Sequence, residues 1–228
     1  EAEARLEAEQ LQGKGKATGV PEDKAQRNFT DPESHIMPAP GGKHFEQAYN
    51  AQAAVDSLSQ VIVAAEITDQ PSDREQAAPI MEQVKANTGG VPREVSADAG
   101  YFSPSAVNDL AAAGANVYMP PGKMRHAYRM PAAPRGRMPK GLSIADMMRR
   151  KLRTKQGRKR YGLRKEVVEP VFGQTKQARG FRQFLLRGKE KVRAEWRLIC
   201  AGHNLLKLFG AGGGALLGPG LQGQPSMS

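Results

Sequence analysis

Two carboxylates stand out by their surroundings. Asp98 ends the run Glu94-Val95-Ser96-Ala97-Asp98 and is followed by Ala99-Gly100-Tyr101, which places it at the carboxyl end of an expected strand. Ligands gather at the carboxyl ends of strands in open α/β sheets, and a carboxylate there can hold a hard, oxygen-seeking cation such as Mg²⁺. An aspartate at such a point serves equally well as the cap of a βα turn. Glu169 is a lone acid within Val167-Val168-Glu169-Pro170-Val171-Phe172-Gly173, inside a region where acids are scarce. Helical spacing puts Lys165, four residues before it, and Lys176, seven after it, on its face. The plainer reading is a surface ion pair with Lys165, worth only tenths of a kcal/mol. Pro170 sets Glu169 either at a helix start or just before a kink.

Other reactive side chains carry less. His35, His44, His126 and His203 are scattered without metal-ligand spacing and read as structural or exposed. The single cysteine, Cys200, excludes an internal disulfide, and beside Ile199 on an apolar stripe it reads as a buried thiol. There is no P-loop phosphate cradle. Trp196 reads as core rather than as a platform for stacked bases.

The charge is unevenly spread. The 228 residues carry a formal net charge of +11, and between Lys123 and Arg193 there are 23 Lys and Arg against four Asp and Glu. One contiguous third of the chain therefore holds all of the positive excess. Such a block can neutralise a phosphate backbone and release its counterions. A solvated basic linker is the alternative, but the block includes helical patterning, which favours nucleic acid. No apolar run approaches the roughly 20 residues that span a bilayer, so no membrane partner is expected. The opening Glu1-Ala2-Glu3-Ala4 is unlike a secretory leader. With one cysteine, a reducing, cytoplasmic setting is the expectation.

The elements that must position these residues follow from punctuation and periodicity. Residues 1–26 read as a short helical end plus linker, and 27–43, rich in Pro, Asp, Ser and Gly, as a loop. Ala48–Asp56 and Val61–Thr68 read as a hairpin, the second arm being β-branched at Val61, Ile62 and Val63. Ser72-Asp73-Arg74-Glu75 has capping-box spacing ahead of an apolar helical face at Ala77, Ile80, Met81 and Val84. A strand over Glu94–Asp98, a helix started by Ser103-Pro104 and a strand over Asn116–Met119 come next. The basic stretch at about 122–160 reads as an insertion, irregular over 122–142, with a helical pattern resuming over Ile144–Lys151. Helix is expected again from Glu169 to Phe209, and the Gly-rich tail 210–228 reads as disordered. The order is that of an α/β domain over residues 27–209 with a mixed sheet.

Four stretches together resemble the DDE transposases of bacterial insertion sequences, closest to the insertion-sequence-1182-like group. They are Thr30-Asp31-Pro32-Glu33-Ser34-His35-Ile36-Met37, Tyr49-Asn50-Ala51-Gln52-Ala53-Ala54-Val55-Asp56, Ala97-Asp98-Ala99-Gly100-Tyr101, and the long stretch from Val168-Glu169-Pro170-Val171-Phe172-Gly173 to His203-Asn204-Leu205. The resemblance implies a ribonuclease-H-like mixed sheet with flanking helices and three metal-binding carboxylates. Asp98 matches the second and Glu169 the third. Mg²⁺ or Mn²⁺ is the implied cofactor and double-stranded DNA, at the element's ends and at the target, the implied partner; a homodimer is a further expectation. The related signature runs Tyr, two residues, Arg, three residues, Glu, six residues, Lys. Tyr161, Glu169 and Lys176 fit it; Arg164 precedes Glu169 by a four-residue gap, whereas Lys165 has the three-residue one. Tyr161, Arg164, Lys165, Lys176 and Arg179 are thereby assigned to DNA.

The first aspartate of the family lies on the first strand, upstream of Thr30. In residues 1–29 only Asp23 is available, in a charged linker, so the first strand and its carboxylate are expected to be missing and the chain looks like a C-terminal portion. A remnant that binds DNA, or pairs with full-length enzyme, without cutting is the alternative reading, and the chain alone is expected not to cleave. Residues 123–193 are expected to supply most of the DNA affinity. Binding should fall steeply with added salt, and Lys176→Ala with Arg179→Ala should flatten that slope. Affinity that is constant between low and physiological salt would remove the basic block from the interface.

Overall fold

The computed structural model describes residues 28–39, 44–122 and 132–211. The expected N-terminal helical end and linker, His126 and the tail from residue 212 lie outside the described residues. In chain order the strands are β1 (His35–Pro38), β2 (Phe45–Ala48), β3 (Asn50–Val55), β4 (Ile62–Thr68), β5 (Glu94–Ser96) and β6 (Asn116–Tyr118). The helices are α1 (Ala77–Thr88), α2 (Pro104–Ala112), α3 (Ile144–Arg153), α4 (Lys155–Gly173) and α5 (Lys189–Gly210), with a 3₁₀ turn at Ala99–Tyr101 and a π-helical turn at Gln174–Ala178. The architecture is mixed α/β.

The hairpin β3–β4 lies between two helices. Asp56 tightens its turn by accepting the amides of Leu58 and Ser59. The register slips between Ala54 and Val55, where β4 carries one residue more than β3. One extra residue inverts the in–out alternation. Ile62 and Ile67, five apart, therefore join one cluster with Val192, Trp196 and Ile199 of α5. Ala64 packs with Ile80 and Val84 of α1. The outer edge of β4 is closed by side-chain amides. Asn204 accepts from the Ile62 N–H and donates to its carbonyl, both at 2.8 Å. Gln83 accepts from Ala65 N–H at 3.2 Å, and Asn87 donates to the Val63 carbonyl at 2.8 Å. Backbone groups that a neighbouring strand would satisfy are met by helix residues instead.

β5 and β6 pair in parallel, with α2 as the crossover. Ser103 caps α2 by accepting Ala106 N–H at 3.0 Å, with Pro104 at the first helical position, as the sequence predicts. Val117, Tyr118 and Met119 are the centre of a second cluster, completed by Met148 and Leu152 of α3.

α4 joins the two clusters. Tyr161 packs against the cluster of Val117 and Met119; Val171 belongs to the cluster of Ile62 and Trp196, and Phe172 packs against it. Two local devices fix the helix. At its start, the Thr154 hydroxyl donates to Lys151 O at 2.7 Å and accepts Gly157 N–H at 2.9 Å. Gly157 is required there, because a Cβ would stand 2.1 Å from Lys151 O. Near its end, Pro170 lacks the N–H that would bond Glu166 O. Gln60 reaches from the hairpin turn and donates its Nε2–H to that carbonyl at 2.9 Å.

Several expectations are corrected. Within the expected loop 27–43, His35–Pro38 is a strand paired antiparallel with Phe45–Ala48, and the hairpin arm starts at Asn50. The capping box is not formed: α1 begins at Ala77 with Gln76 as an N-cap that makes no side-chain bond. Asp73 is drawn off instead by Asn50 and Gln52. The Asp98 strand stops at Ser96. In the basic stretch 122–160 the helical pattern expected over Ile144–Lys151 is α3, helix continues from Lys155 as α4, and 123–131 of the expected irregular part lie outside the described residues. Glu169 lies near the end of α4, and Arg179–Gly188 interrupts the helix expected from Glu169 to Phe209. Lastly, the strands form three two-stranded sheets, β1–β2, β3–β4 and β5–β6, rather than one mixed sheet.

Trp196 is core, as expected. It stacks on Phe172 with centroids 6.0 Å apart, meets Phe184 edge-on, and donates Nε1–H to Gln52 O at 2.9 Å. Trp196→Ala should cost about 3–5 kcal/mol. Trp196→Phe should cost about 1–3 kcal/mol by orphaning its share of the Gln52 carbonyl. Urea melts of both variants measure this; a Trp196→Phe loss under about 0.3 kcal/mol would mean that the indole N–H contributes nothing.

Candidate active site

Asp98 follows β5 and opens the 3₁₀ turn, its Oδ1 accepting Gly100 N–H at 2.9 Å. The turn-capping reading of this residue is therefore correct as far as one oxygen goes. Its other oxygen, Oδ2, stands 3.8 Å from a guanidinium nitrogen of Arg164. The second terminal nitrogen of Arg164 stands 3.9 Å from Glu169 Oε1. One guanidinium thus lies between two carboxylates that are 71 residues apart in sequence. Since its fork spans a couple of ångströms, the carboxylates lie within about 10 Å of each other. Both acids are more than half exposed, while the Arg164 side chain is 20% exposed. The guanidinium also lies over the Tyr161 ring, 5.6 Å from its centroid. Burial pushes the Tyr161 phenol up, so it stays protonated at neutral pH and able to donate.

The structure thus brings Asp98, Glu169, Arg164 and Tyr161 together. Despite the four-residue gap, it is Arg164 and not Lys165 whose side chain comes within 4 Å of Glu169. Lys165 is exposed on α4. Lys176 sits past Pro170 in the π-helical turn, its ammonium 5.7 Å from the Phe172 ring centroid. Arg179 follows the π turn and lines an apolar groove with Phe181 and Leu198 that neither Asp98 nor Glu169 borders. Asp56 stays at the hairpin turn.

Sequence reasoning missed the polar network under the Asp98 turn. Gln52 is 1% exposed. Its Nε2 donates to Asp73 Oδ1 and Asn50 Oδ1, both at 2.9 Å, and its Oε1 accepts from the Tyr101 hydroxyl. Asn50 donates to the same Asp73 oxygen at 2.7 Å. A Cβ on Gly100 would lie 2.6 Å from Asp73 Oδ2, so the turn passes close over that carboxylate. β3, the start of α1 and the Asp98 turn are tied at one point. Burial, with Asp73 and Asp98 nearby, pushes the Tyr101 phenol up. The signal was present: Gln52 is a lone amide in the apolar run Ala51-Gln52-Ala53-Ala54-Val55.

Compared with known families, residues 17–205 match the transposase DDE domain, and the chain belongs to that family. No curated protein and no solved structure matches it. Membership supports DNA transposition, a recombination reaction on a DNA substrate, as the function in general. Among the described residues, no helix is long and apolar enough to cross a membrane.

The family uses a divalent metal. The donors here suit a hard cation in kind, being carboxylate oxygens open to water. In number they suit it only in part, for among the described residues no three His, Cys, Asp or Glu come together as a metal-holding group. Tyr101→Phe should cost about 1–3 kcal/mol in a denaturant melt, because Gln52 Oε1 would be left buried and unpaired. A change under about 0.3 kcal/mol would show that the network does not hold the Asp98 turn.

Proposed function

We propose that this chain contributes the Asp98–Glu169 side of a metal-dependent site for phosphodiester cleavage and strand transfer at insertion-sequence ends, in the insertion-sequence-1182-like manner. The observation that carries this reading is the placement of both acids on either side of Arg164. Asp98 and Glu169 would hold Mg²⁺ or Mn²⁺, which when bound activates a water or 3′-hydroxyl and stabilises the leaving oxygen. The side chains do the positioning. The 3₁₀ turn holds Asp98 by one oxygen and leaves the other for the ligand. Arg164, held over Tyr161, supplies positive charge to a phosphate arriving between the acids. Lys165 and Lys176 extend the cationic surface along the DNA, while Arg179, assigned to DNA by resemblance, lines the apolar groove instead. The electrostatics of such a site act by placement and charge neutralisation.

The fold reading that goes with this is ribonuclease-H-like. The hairpin and the β5–β6 pair are the flanks of one sheet, and a first strand bearing the first aspartate belongs between β3 and β5. The three separate two-stranded sheets are consistent with that gap. A second reading, binding of DNA or pairing with a complete copy without cutting, is favoured by one observation: no third carboxylate joins the pair among the described residues.

A strand-cleavage assay on the element's own ends, with Mg²⁺ or Mn²⁺, separates the readings. Under the first, cleavage requires that a strand bearing the first aspartate be supplied with the 228 residues, and Asp98→Asn or Glu169→Gln then abolishes cleavage while DNA binding persists. Binding without cleavage supports the second. Cleavage indifferent to both substitutions sinks the assignment of the site, and absence of any DNA binding sinks both readings.

A further inference from the structure

The basic stretch ahead of α3 is not used by the carboxylate site. No Asp or Glu stands between Asp109 and Asp146, and within that interval runs Pro134-Arg135-Gly136-Arg137-Met138-Pro139-Lys140. Residues 135–140 are all exposed. The side chains of Arg135, Arg137 and Lys140 make no hydrogen bond or ion pair with any described residue.

The backbone of this loop, by contrast, is held. One terminal nitrogen of Arg150, on α3, donates to Arg135 O at 2.8 Å and to Gly136 O and Arg137 O, both at 3.3 Å. Arg153 donates to Ala132 O at 2.9 Å. The chain bends at Gly136, whose φ of +78° suits a residue without a Cβ. Nothing lies within 4 Å of where a Cβ would stand there, so the outer side of the bend is empty. Pro134 and Pro139 restrict φ at the two ends of the loop. Two guanidiniums of α3 are thus given to loop carbonyls, while the two arginines of the loop itself are left for a ligand. A solvated basic linker has no need of such anchoring.

We propose that the Arg135-Gly136-Arg137 bend, pinned by Arg150, enters the minor groove of A·T-rich duplex DNA. That groove is only about 6 Å wide, and in A·T runs it narrows further, which deepens its negative potential and draws in arginine. A bend with glycine at its tip is slim enough to enter, and the guanidinium on each side supplies the charge. The amine that guanine presents in the minor groove is absent from A·T pairs, so the same insertion discriminates between the two. Because Arg150 and Arg153 already order the backbone, binding does not have to order it. The inference rests on the reading of DNA as the substrate and adds a sequence preference to it; it does not depend on the carboxylate pair.

Fluorescence anisotropy of the full chain with labelled duplexes of equal length tests it, using A·T, G·C and inosine·C sequences. Inosine·C pairs keep the major-groove face of G·C but lack the minor-groove amine. The A·T and inosine·C duplexes should bind about 10-fold more tightly than G·C. Arg135→Ala with Arg137→Ala should remove that preference with an unchanged circular dichroism spectrum, since both side chains are exposed. Arg150→Gln, which frees the loop but keeps both arginines, should reduce the preference roughly threefold or more. The proposal is overturned if the three duplexes bind alike, if inosine·C follows G·C, or if Arg150→Gln leaves the preference intact. A double substitution that weakens all three duplexes equally also overturns it, because the contacts would then be to phosphates alone. Each of these outcomes leaves DNA as the substrate; failure to bind any duplex removes that reading together with the proposal.

Discussion

The buried amide of Gln52 is the constraint through which the separate parts meet. A primary amide has two donor and two acceptor positions, and in a dry interior leaving one unpaired costs more than any single bond returns. Gln52 meets that demand with groups from Asn50, the start of α1 and the Asp98 turn. Its own carbonyl receives the Trp196 indole of α5. Several segments are thus fixed by the hydrogen-bonding needs of one residue. Displacement of any of them would leave polar atoms without partners at 1% exposure.

The Glu169 side of the site is set differently. α4 has no long apolar stripe of its own to define its position, since only Gly157, Val167 and Val171 are buried along it. It is fixed at the ends. The Thr154 junction holds one end against α3, and the carbonyl freed by Pro170 ties the other to the hairpin turn through Gln60. Proline is usually costly inside a helix. Here the lost intrahelical bond becomes a long-range one, linking residues 106 apart just before the helix turns π-helical.

What could be read in the sequence was what local patterns determine. The Ser103-Pro104 start, the β-branched hairpin arm, the buried thiol of Cys200, whose pKa burial pushes up to about 12, and the inward face of Trp196 all follow from periodicity and caps. The resemblance implied only that Asp98 and Glu169 share a metal site, and their meeting across Arg164 had no signal in the sequence, because spacing says nothing of contacts across 71 residues. Local signals failed where tertiary demand was stronger. Ser72 and Glu75 have capping-box spacing, yet the helix starts only at Ala77, beyond Asp73, whose carboxylate is held by the amides of Asn50 and buried Gln52. The strand at His35–Pro38 has a proline and a histidine in four residues and exists because Phe45–Ala48 pairs with it. The register slip in β4, which brings Ile62 and Ile67 to one side, leaves no mark in composition.

The amides of Asn204, Gln83 and Asn87 along β4 have a consequence for how the protein behaves at high concentration. A hairpin with both edges open can recruit copies on either side and so grow without limit, the geometry of a fibril. With β4 sealed by helix residues, only β3 is left to accept a strand. Growth through such a one-sided unit stops at two members, because each addition uses up the only edge available. The three amides therefore act as a chain terminator, turning a potential polymerisation of this hairpin into a step that ends with the first pair.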